Sequence, residues 1–493
     1  MCGFIGIVRP SRDVFADIFD GLVAIQHRGQ DAAGISTYDH RRRFHMKRGA
    51  GLVRDIFEQS DTETLRGPAG IGHVRYPTVG DGGVENAQPF VVNHPYGISL
   101  AHNGNLTNYR ELADSLETED LRLIESSCDA EIILNVLADE LDRRRPAEFS
   151  VDMLFSAIAT TIGRLKGAYS VVGLIAGKGM FAFRDPLGIK PILLSQREDK
   201  DGTAFCIASE SVVPDLLDFH KLSDVAPGEA VFVSFDGELE RRRLIEKEHR
   251  PCLFEWVYFA RPDSFLDRVS VYKTRLRLGQ KMAELWRETG KEVDVVIPIP
   301  ESATTAAVSM ARELGIKYRE GFVKNRYIGR TFIMASDGER KRSIRAKLNP
   351  IQLEFEGKDV LLVDDSIVRG NTSRQIIQLA RQAGARKVYF ASYSPQLRHP
   401  CVYGIDMSTK NEFVAKGRSD DEIAEAIGAD FVLYQSLENL EDATREGNDK
   451  LEKFCNACFT GDYPTGDVTP EMLESIEGDR LAHHAAVSSG SRT

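Results

Sequence analysis

Cys2, directly after the initiator methionine, is the first residue whose type and position suit covalent chemistry. A small side chain here permits removal of the methionine, which leaves a cysteine carrying both a thiol and a free α-amine. Because an α-amine has a pKa of roughly 7.7–8, it can take the thiol proton near neutral pH and act as base for its own nucleophile. A small residue that merely begins a strand is the alternative. Cys2 alone does not therefore predict a nucleophile; the prediction also needs the sequence motifs that follow it.

A second group with chemical potential follows the apolar run at residues 360–363. Two adjacent carboxylates, Asp364 and Asp365, are followed by a glycine-containing loop and by a Thr/Ser-rich helix start. Ligands in α/β folds bind at the carboxyl ends of parallel strands, and a helix N-terminus directs backbone amides at an anion. Adjacent acids alone are common at metal sites, but the full run predicts an anion site with carboxylates at its edge.

Four of the seven cysteines have metal-ligand character. Cys455 and Cys458 form a C-x-x-C pair, which by itself is a redox pair, half of a zinc site or chance. Cys252 and Cys401 stand alone in the sequence. In a cytosolic chain such residues are more often free thiols, metal ligands or nucleophiles than disulfides.

The secondary structure predicted around these residues differs between the first and second parts of the chain. The first part has short β-type runs broken by glycine, with helical stretches between them, which predicts an α+β layered domain over residues 2–240. The second part alternates buried apolar runs with helical segments, which predicts a doubly wound α/β domain over residues 251–465. The charged stretch at 238–250 is interpreted as a linker. The polar tail, residues 466–493, is expected to be disordered.

Composition narrows the class of protein. The 493 residues are 42% hydrophobic and 28% charged, with a net charge of −11. An acidic chain argues against non-specific binding to nucleic acid or anionic membranes. No apolar run reaches the roughly 18–20 residues that span a bilayer, and the start does not resemble a signal peptide. We expect a cytoplasmic protein.

Four segments of the first half carry a resemblance to a known family. They are residues 2–7 (Cys-Gly-Phe-Ile-Gly-Ile), 26–31 (Gln-His-Arg-Gly-Gln-Asp), 72–78 (Gly-His-Val-Arg-Tyr-Pro-Thr) and 102–105 (His-Asn-Gly-Asn). In this order they resemble the glutaminase domain of the N-terminal-nucleophile amidotransferases. The resemblance implies an αββα fold for the first domain.

The same resemblance assigns roles to individual residues. Cys2 would attack the glutamine carboxamide and form a thioester, while Asn103 and the backbone amide of Gly104 would form the oxyanion hole. Three further residues are expected to bind glutamine: Arg28, Arg75 and Asp129. For each of these an ordinary role, such as a surface ion pair or an Asn-Gly turn, is the alternative.

The segment at 360–373 resembles the phosphoribosyl diphosphate (PRPP) motif of the type I phosphoribosyltransferases. The resemblance implies that Asp364 and Asp365 hold the ribose hydroxyls and Mg²⁺. Residues 298–304 resemble the pyrophosphate loop of that family, with Ser302 as a magnesium or pyrophosphate contact, although Ala303 stands where a glycine is usual. The residues expected at the PRPP phosphates are Arg369, Gly370, Asn371, Thr372 and Ser373, with Lys347 and Arg345 from a mobile basic loop.

The surroundings of Cys252, Cys401, Cys455 and Cys458 resemble those in cluster-bearing members of the amidophosphoribosyltransferase family. Four thiolates are the ligand set of a [4Fe–4S] cluster, and Zn²⁺ is the rival for any four-cysteine site. The resemblance implies a cluster with a structural role.

Both halves together are similar to the amidophosphoribosyltransferase family over nearly the whole chain. This implies conversion of glutamine, PRPP and water to 5-phosphoribosylamine, glutamate and pyrophosphate, the committing step of purine synthesis. It also implies Mg²⁺, an internal ammonia channel, inhibition by purine nucleotides and a homotetramer. Glucosamine-6-phosphate synthase and asparagine synthetase share the glutaminase half, but no isomerase domains or ATP-pyrophosphatase loop follow it here. A PRPP- or nucleotide-sensing regulator built on a retired enzyme is the alternative from another class.

Overall fold

The computed structural model describes residues 1–10, 12–76, 83–144, 148–325, 348–405, 412–476 and 478. Within these ranges the N-terminal half is built from antiparallel sheets and the C-terminal half around a parallel sheet. No helix in the described residues has the length and apolar character needed to cross a membrane.

Two antiparallel sheets form the centre of the N-terminal half. Its strands are β1 (Gly3–Val8), β2 (Ala32–Tyr38), β3 (Phe44–Ala50), β4 (Ala69–Arg75), β5 (Phe90–Val92), β6 (Ile98–Leu106), β7 (Gly167–Ile175), β8 (Gly179–Arg184), β9 (Leu193–Asp199), β10 (Gly202–Ala208), β11 (His220–Asp224), β12 (Glu229–Ser234) and β13 (Leu239–Arg243). The seven-stranded sheet has the order β11-β9-β10-β1-β4-β2-β3, and the six-stranded sheet has the order β13-β12-β8-β7-β6-β5.

The two sheets pack face to face, with helices outside them. Phe4 and Ile71 of the first sheet share a buried core with Val172 and Met180 of the second. The helices of this half are α1 (Phe15–Ala24), α2 (Val53–Ile56), α3 (Asp61–Thr64), α4 (Tyr109–Thr118), α5 (Asp129–Arg144), α6 (Val151–Arg164) and α7 (Val212–Leu216). Helix α1 covers the outer face of the first sheet, and α5 and α6 cover that of the second. The predicted αββα layering is confirmed.

The C-terminal half contains a parallel sheet with the order β17-β16-β20-β21-β22. Its strands are β14 (Phe265–Leu266), β15 (Val269–Ser270), β16 (Val295–Pro298), β17 (Lys317–Tyr318), β18 (Phe322–Lys324), β19 (Leu348–Pro350), β20 (Asp359–Asp364), β21 (Lys387–Ser392) and β22 (Phe431–Tyr434). Its helices are α8 (Val271–Glu288), α9 (Thr304–Leu314), α10 (Asn371–Gln382), α11 (Asp420–Ile427), α12 (Leu437–Arg445) and α13 (Ala457–Thr460), with a π-helical turn at Glu255–Phe259.

Helices cover both faces of this sheet. Helices α8, α9 and α12 share one buried core with the strands, whereas α10 and α11 contribute to the core on the other face. This arrangement confirms the predicted doubly wound α/β fold and brings the carboxyl ends of its strands to one edge.

The two halves contact each other beside the end of β6. The side-chain amide of Asn105 donates a hydrogen bond to the Val402 carbonyl at 2.9 Å. Gly404 has a φ of +95°, and a Cβ there would lie 2.6 Å from the Gly104 carbonyl oxygen. Since only glycine fits this approach, the loop after Cys401 is pressed against the strand that carries the predicted oxyanion-hole residues.

The start of the C-terminal tail is ordered, contrary to the expectation of disorder from residue 466. Residues 470–476 are helical. The hydroxyl of Thr107 donates to the Asp467 carboxylate at 2.6 Å, and Arg110 donates to the Ser475 hydroxyl at 3.1 Å. The tail is polar on average, but three of its apolar side chains pack on the core: Val468, Leu473 and Ile476. Residues 477 and 479–493 lie outside the described part of the chain.

Candidate active sites and the four-cysteine site

The predicted nucleophile lies immediately before the central strand β1. Strand β1 is flanked by β10 and β4, so its position is fixed from both sides. The Cys2 thiol donates to the Tyr76 carbonyl at 3.6 Å, and Met1 before it is buried. Removal of Met1 would place the α-amine on the same residue as the thiol, as the base mechanism requires.

Cys2 opens into a cavity of about 320 Å³, which is within the size range of sites for small molecules. Arg75, Gly104 and Asp129, three residues predicted to act on glutamine, line the same cavity. The ordered tail contributes part of its wall, through Asp467, Met472, Ser475 and Ile476. These tail residues, together with His102 and Asn105, were not predicted from the sequence.

Asn103 and Gly104 lie on β6, the strand beside the cavity. Asn103 is fully buried, and both polar atoms of its side-chain amide are without a hydrogen-bond partner among the described residues. Gly104 has a φ of +152° and lines the cavity. A buried donor without a partner suits an oxyanion hole, which stabilises charge that appears only during reaction, but Asn103 itself is not among the residues that line the cavity.

Asp129 begins helix α5 and carries a charge suited to an ammonium ligand. Its carboxylate accepts from the Leu106 amide at 3.1 Å and lies 3.2 Å from the His102 ring nitrogen. Burial acts to raise the pKa of Asp129, but His102, the Leu106 amide and Arg75 together outweigh it, so the pKa lies below its ordinary value. The carboxylate is therefore ionised at neutral pH.

Arg28, which was expected to bind glutamine, does not line this cavity. Its guanidinium is fully buried and pairs with the carboxylates of Glu210, from the first domain, and Glu255, from the second; the second pair measures 2.8 Å. Its side chain also packs on Gly3, where an added Cβ would lie 3.0 Å from the Arg28 Cδ. In this structure Arg28 is therefore a buried link beside the nucleophile strand, and its expected contact with glutamine stays a prediction.

Glu210→Gln is expected to lower the free energy of unfolding by about 3–5 kcal/mol, because it leaves the buried Arg28 charge partly uncompensated. Burial acts to raise the pKa of Glu210, but Arg28 and His27 hold the pKa well below its ordinary value. Its stabilising contribution is therefore fully present at neutral pH and is lost only as the pH falls through the strongly acidic range.

Chemical denaturation at neutral pH measures this effect. Glu248→Gln, which removes a surface partner of Lys453 and Arg250, is the control and is expected to leave stability unchanged. Equal stability of the Glu210 variant and the unchanged protein would contradict the assignment.

Asp364 and Asp365 lie at the carboxyl end of β20, facing the loop after β16. The Ser302 hydroxyl donates to Asp365 at 2.5 Å, so the two predicted segments meet. Burial and the neighbouring Asp365 raise the pKa of Asp364, and burial also raises that of Asp365. Two adjacent buried carboxylates whose charge burial disfavours are suited to a divalent cation.

The predicted phosphate-binding residues form the turn into helix α10. Gly370 has a φ of +74° and directly precedes the helix, whose first turn contains Asn371, Thr372 and Ser373. The free backbone N–H groups of a helix start bind anions. The Arg369 guanidinium lies 3.0 Å from Glu412 at the surface. Arg345 and Lys347 lie outside the described residues.

The four predicted metal-ligand cysteines are buried in one hydrophobic core. The amide of Cys455 donates to the Pro251 carbonyl at 2.9 Å, and that of Leu253 donates to the Cys455 carbonyl at 3.2 Å, which pairs the segments of Cys252 and Cys455. Burial raises the pKa of Cys252 to about 12, with Cys401 contributing. Burial and the other three thiols also raise the pKa of Cys458. In the described part of the chain, no group of three or more His, Cys, Asp or Glu side chains is arranged to hold a metal ion.

Comparisons with known proteins match a family model to each half of the chain. A family model described as a glutamine amidotransferase domain matches residues 74–213. A second, described as a phosphoribosyl transferase domain, matches residues 271–396.

Similar proteins extend over nearly the full length. Amidophosphoribosyltransferases from Pseudomonas aeruginosa and Escherichia coli are each 50% identical, covering 97% of this chain and 96% and 95% of the relatives. The solved structure of a glutamine PRPP amidotransferase from B. subtilis, complexed with ADP and GMP, is 36% identical with a TM-score of 0.84, covering 95% of this chain and 98% of that one. The chain belongs to the amidophosphoribosyltransferase family.

Proposed function

We propose that this chain releases ammonia from glutamine at Cys2 and transfers it to PRPP, giving glutamate, 5-phosphoribosylamine and pyrophosphate. This is the first committed step of purine synthesis. The observation that carries the proposal is the presence of two complementary sites in one chain. One is the cavity at Cys2, and the other is the carboxylate pair at the carboxyl end of β20.

The proposed glutaminase half-reaction begins at Cys2. The α-amine takes the thiol proton, and the sulfur attacks the glutamine carboxamide carbon. The Asn103 amide and the Gly104 N–H stabilise the resulting oxyanion, after which the C–N bond breaks and ammonia leaves with the proton. Water then hydrolyses the thioester to glutamate and regenerates the thiol. Arg75 and Asp129 hold the α-carboxylate and the α-ammonium of the substrate.

The transfer half-reaction takes place at the end of β20. The first turn of α10 binds the 5′-phosphate, while Asp364 and Asp365 accept from the ribose hydroxyls. The ammonia nitrogen forms a bond to the anomeric carbon as the bond to pyrophosphate breaks. Arg345, Lys347 and Arg369 are proposed to balance the charge of the phosphates.

Asp364, Asp365 and Ser302 would hold Mg²⁺ with PRPP. The buried carboxylate pair fits the ion, since a divalent cation would compensate the charge that burial and Asp365 disfavour at Asp364. When bound, Mg²⁺ neutralises charge that develops on the leaving pyrophosphate.

Cys252, Cys401, Cys455 and Cys458 would hold a [4Fe–4S] cluster. The support is the residue type alone: the four thiols are buried in one hydrophobic core, although among the described residues they are not arranged around a common metal position. The bound cluster would tie the end of the chain to the domain junction.

Protein purified without oxygen is expected to contain about four iron and four sulfide ions per chain, and Cys458→Ser is expected to lose most of both. Chemical analysis of the two elements measures this. Cys206→Ser, which changes another buried thiol far along the sequence from the site, is the control. Zinc in place of iron, or neither metal, would overturn the cluster assignment.

We further propose that purine nucleotides inhibit the enzyme, that it works as a homotetramer and that it is cytoplasmic. The B. subtilis relative was solved with ADP and GMP, which supports nucleotide binding. Sedimentation and inhibition assays with purine nucleotides test the first two statements.

A PRPP-sensing regulator built on the same scaffold remains the second candidate. The two proposals differ in whether glutamine hydrolysis depends on PRPP. We expect glutamate release to increase when PRPP and Mg²⁺ are added. Release that is indifferent to PRPP would favour the regulator.

A further inference from the structure

Gln88 is a buried side chain in the Cys2 cavity that the proposed reaction does not use. It lies two residues before β5 and lines the cavity together with His102 and Asp129. Its side-chain oxygen accepts from the His102 backbone amide at 2.7 Å, and its NH2 group lies 3.3 Å from His102 Nδ1. The NH2 group also donates to the Cys128 sulfur at 3.6 Å. Gln88 therefore contacts both the backbone and the ring of His102.

These contacts determine which nitrogen of the His102 ring carries a proton. A backbone amide can only donate, so the Gln88 atom that faces it is the oxygen, and the other polar atom is the NH2 group. An NH2 group also can only donate, so Nδ1 of His102 is an acceptor without a proton. The ring is therefore neutral and carries its one proton on Nε2.

The protonated Nε2 of His102 faces Asp129. It lies 3.2 Å from the Asp129 carboxylate and has no hydrogen-bond partner elsewhere among the described residues. A neighbouring carboxylate favours the charged, doubly protonated form of an imidazole, which would neutralise the carboxylate. The NH2 group of Gln88 occupies the position on Nδ1 that this second proton needs.

A neutral His102 leaves the negative charge of Asp129 available to a substrate. The His73 ring, 3.1 Å from the His102 carbonyl, adds no positive charge at neutral pH, because burial lowers the pKa of His73 well below its ordinary value. Asp129 thus has a histidine nitrogen beside it without being neutralised by a histidine cation. The α-ammonium of an amino acid is the charge that matches such a carboxylate.

We propose that Gln88 is a positioning residue of the glutamine site: it keeps His102 neutral, with its proton directed at Asp129, and so preserves the carboxylate charge that binds the α-ammonium. The inference rests on the proposed glutaminase reaction and on the role of Asp129 in it. Gln88 acts through His102. The PRPP site lies in the other half of the chain and does not depend on it.

The test uses two inhibitors that differ only in the α-ammonium: glutamate carries it and glutarate lacks it. Their competitive inhibition constants against glutamine are measured in the glutamine-dependent reaction. Gln88→Glu keeps an oxygen for the His102 amide but replaces the NH2 donor with a second acceptor, so the ring binds a proton at Nδ1. Glu111→Gln is the control, since it exchanges the same two residue types at the exposed rim of the same cavity.

The unchanged protein and Glu111→Gln are expected to bind glutamate at least about tenfold more tightly than glutarate. Gln88→Glu is expected to reduce this ratio below about threefold and to raise the KM for glutamine, while the ammonia-dependent reaction stays unchanged. If Gln88→Glu is insoluble, Gln88→Met, which removes the donor without adding a charge, is measured in its place with the same expectation.

Two results would overturn the inference while leaving the glutaminase reaction intact. One is an unchanged ratio of the two inhibition constants in the Gln88 variant, even if both inhibitors bind more weakly. The other is a parallel loss of the ammonia-dependent reaction, which would show that the substitution disturbs the fold. An unchanged protein that does not hydrolyse glutamine would instead overturn the proposed function, and the role of Gln88 with it.

Discussion

Cys2→Ala is expected to lower the glutamine-dependent reaction by at least about 10³-fold while leaving the ammonia-dependent reaction near that of the unchanged protein. The substitution removes the sulfur that forms the thioester, and no other thiol shares its free α-amine. Ammonia added to the solution bypasses this step, and the carboxylate pair at the end of β20 is not altered. The rates of pyrophosphate release with glutamine and with ammonium chloride measure the two reactions.

Cys206→Ala is the matched control for this variant. Cys206 lies on β10, beside the nucleophile strand, and is fully buried, so it tests loss of a thiol without loss of the nucleophile. We expect both reactions to persist in it. Loss of the ammonia-dependent reaction in the Cys2 variant would show that the two half-reactions are not separable.

Asp365→Asn is expected to lower both the glutamine-dependent and the ammonia-dependent reactions by about 10²-fold or more, because it removes a charged ligand from the PRPP site. The thermal stability of this variant is not expected to fall with its activity. Burial raises the pKa of Asp364 and of Asp365, and the charge of Asp365 adds to the effect at Asp364, so the ionised pair costs stability at neutral pH. The variant should therefore melt no lower than the unchanged protein.

Asp359→Asn provides the comparison within the same strand. Asp359 lies at the amino end of β20 and pairs with Arg386 at 2.7 Å, at the opposite edge of the sheet from the carboxylate pair. We expect its activity to remain close to that of the unchanged protein. Full ammonia-dependent activity in the Asp365 variant would show that PRPP does not bind at the end of β20.

The sequence predicted the layered folds because their signals are local. Buried parallel strands appear as apolar runs, and strands in layered α+β domains appear as short runs broken by turns. The residues of the motifs were also local: Cys2, Asn103 and Asp364 each belong to a short segment of recognisable composition. The order of the strands within each sheet depends on contacts between distant segments, which no local pattern records.

The features that the sequence did not predict depend on such distant contacts. Arg28 has the residue type of a carboxylate binder, but Glu210 and Glu255, 182 and 227 residues away in the chain, take up its charge. The polar tail closes part of the Cys2 cavity through Asp467, although its composition predicted disorder.

Contacts between the two halves lie next to the Cys2 cavity and to the segments that carry Cys401 and Cys252. The Val402 carbonyl holds Asn105, two residues after Asn103, while Cys401 belongs to the four-cysteine site. Arg28 links the nucleophile strand to Glu255, three residues after Cys252. Both contacts join the two halves of the chain beside the proposed glutamine site.

The most direct test of the central proposal is pyrophosphate release by protein purified without oxygen, supplied with PRPP and Mg²⁺, with and without glutamine. We predict release that requires glutamine and that forms glutamate and pyrophosphate in equal amounts. Folded protein that releases no pyrophosphate under these conditions would contradict the assignment and leave the regulator as the leading interpretation.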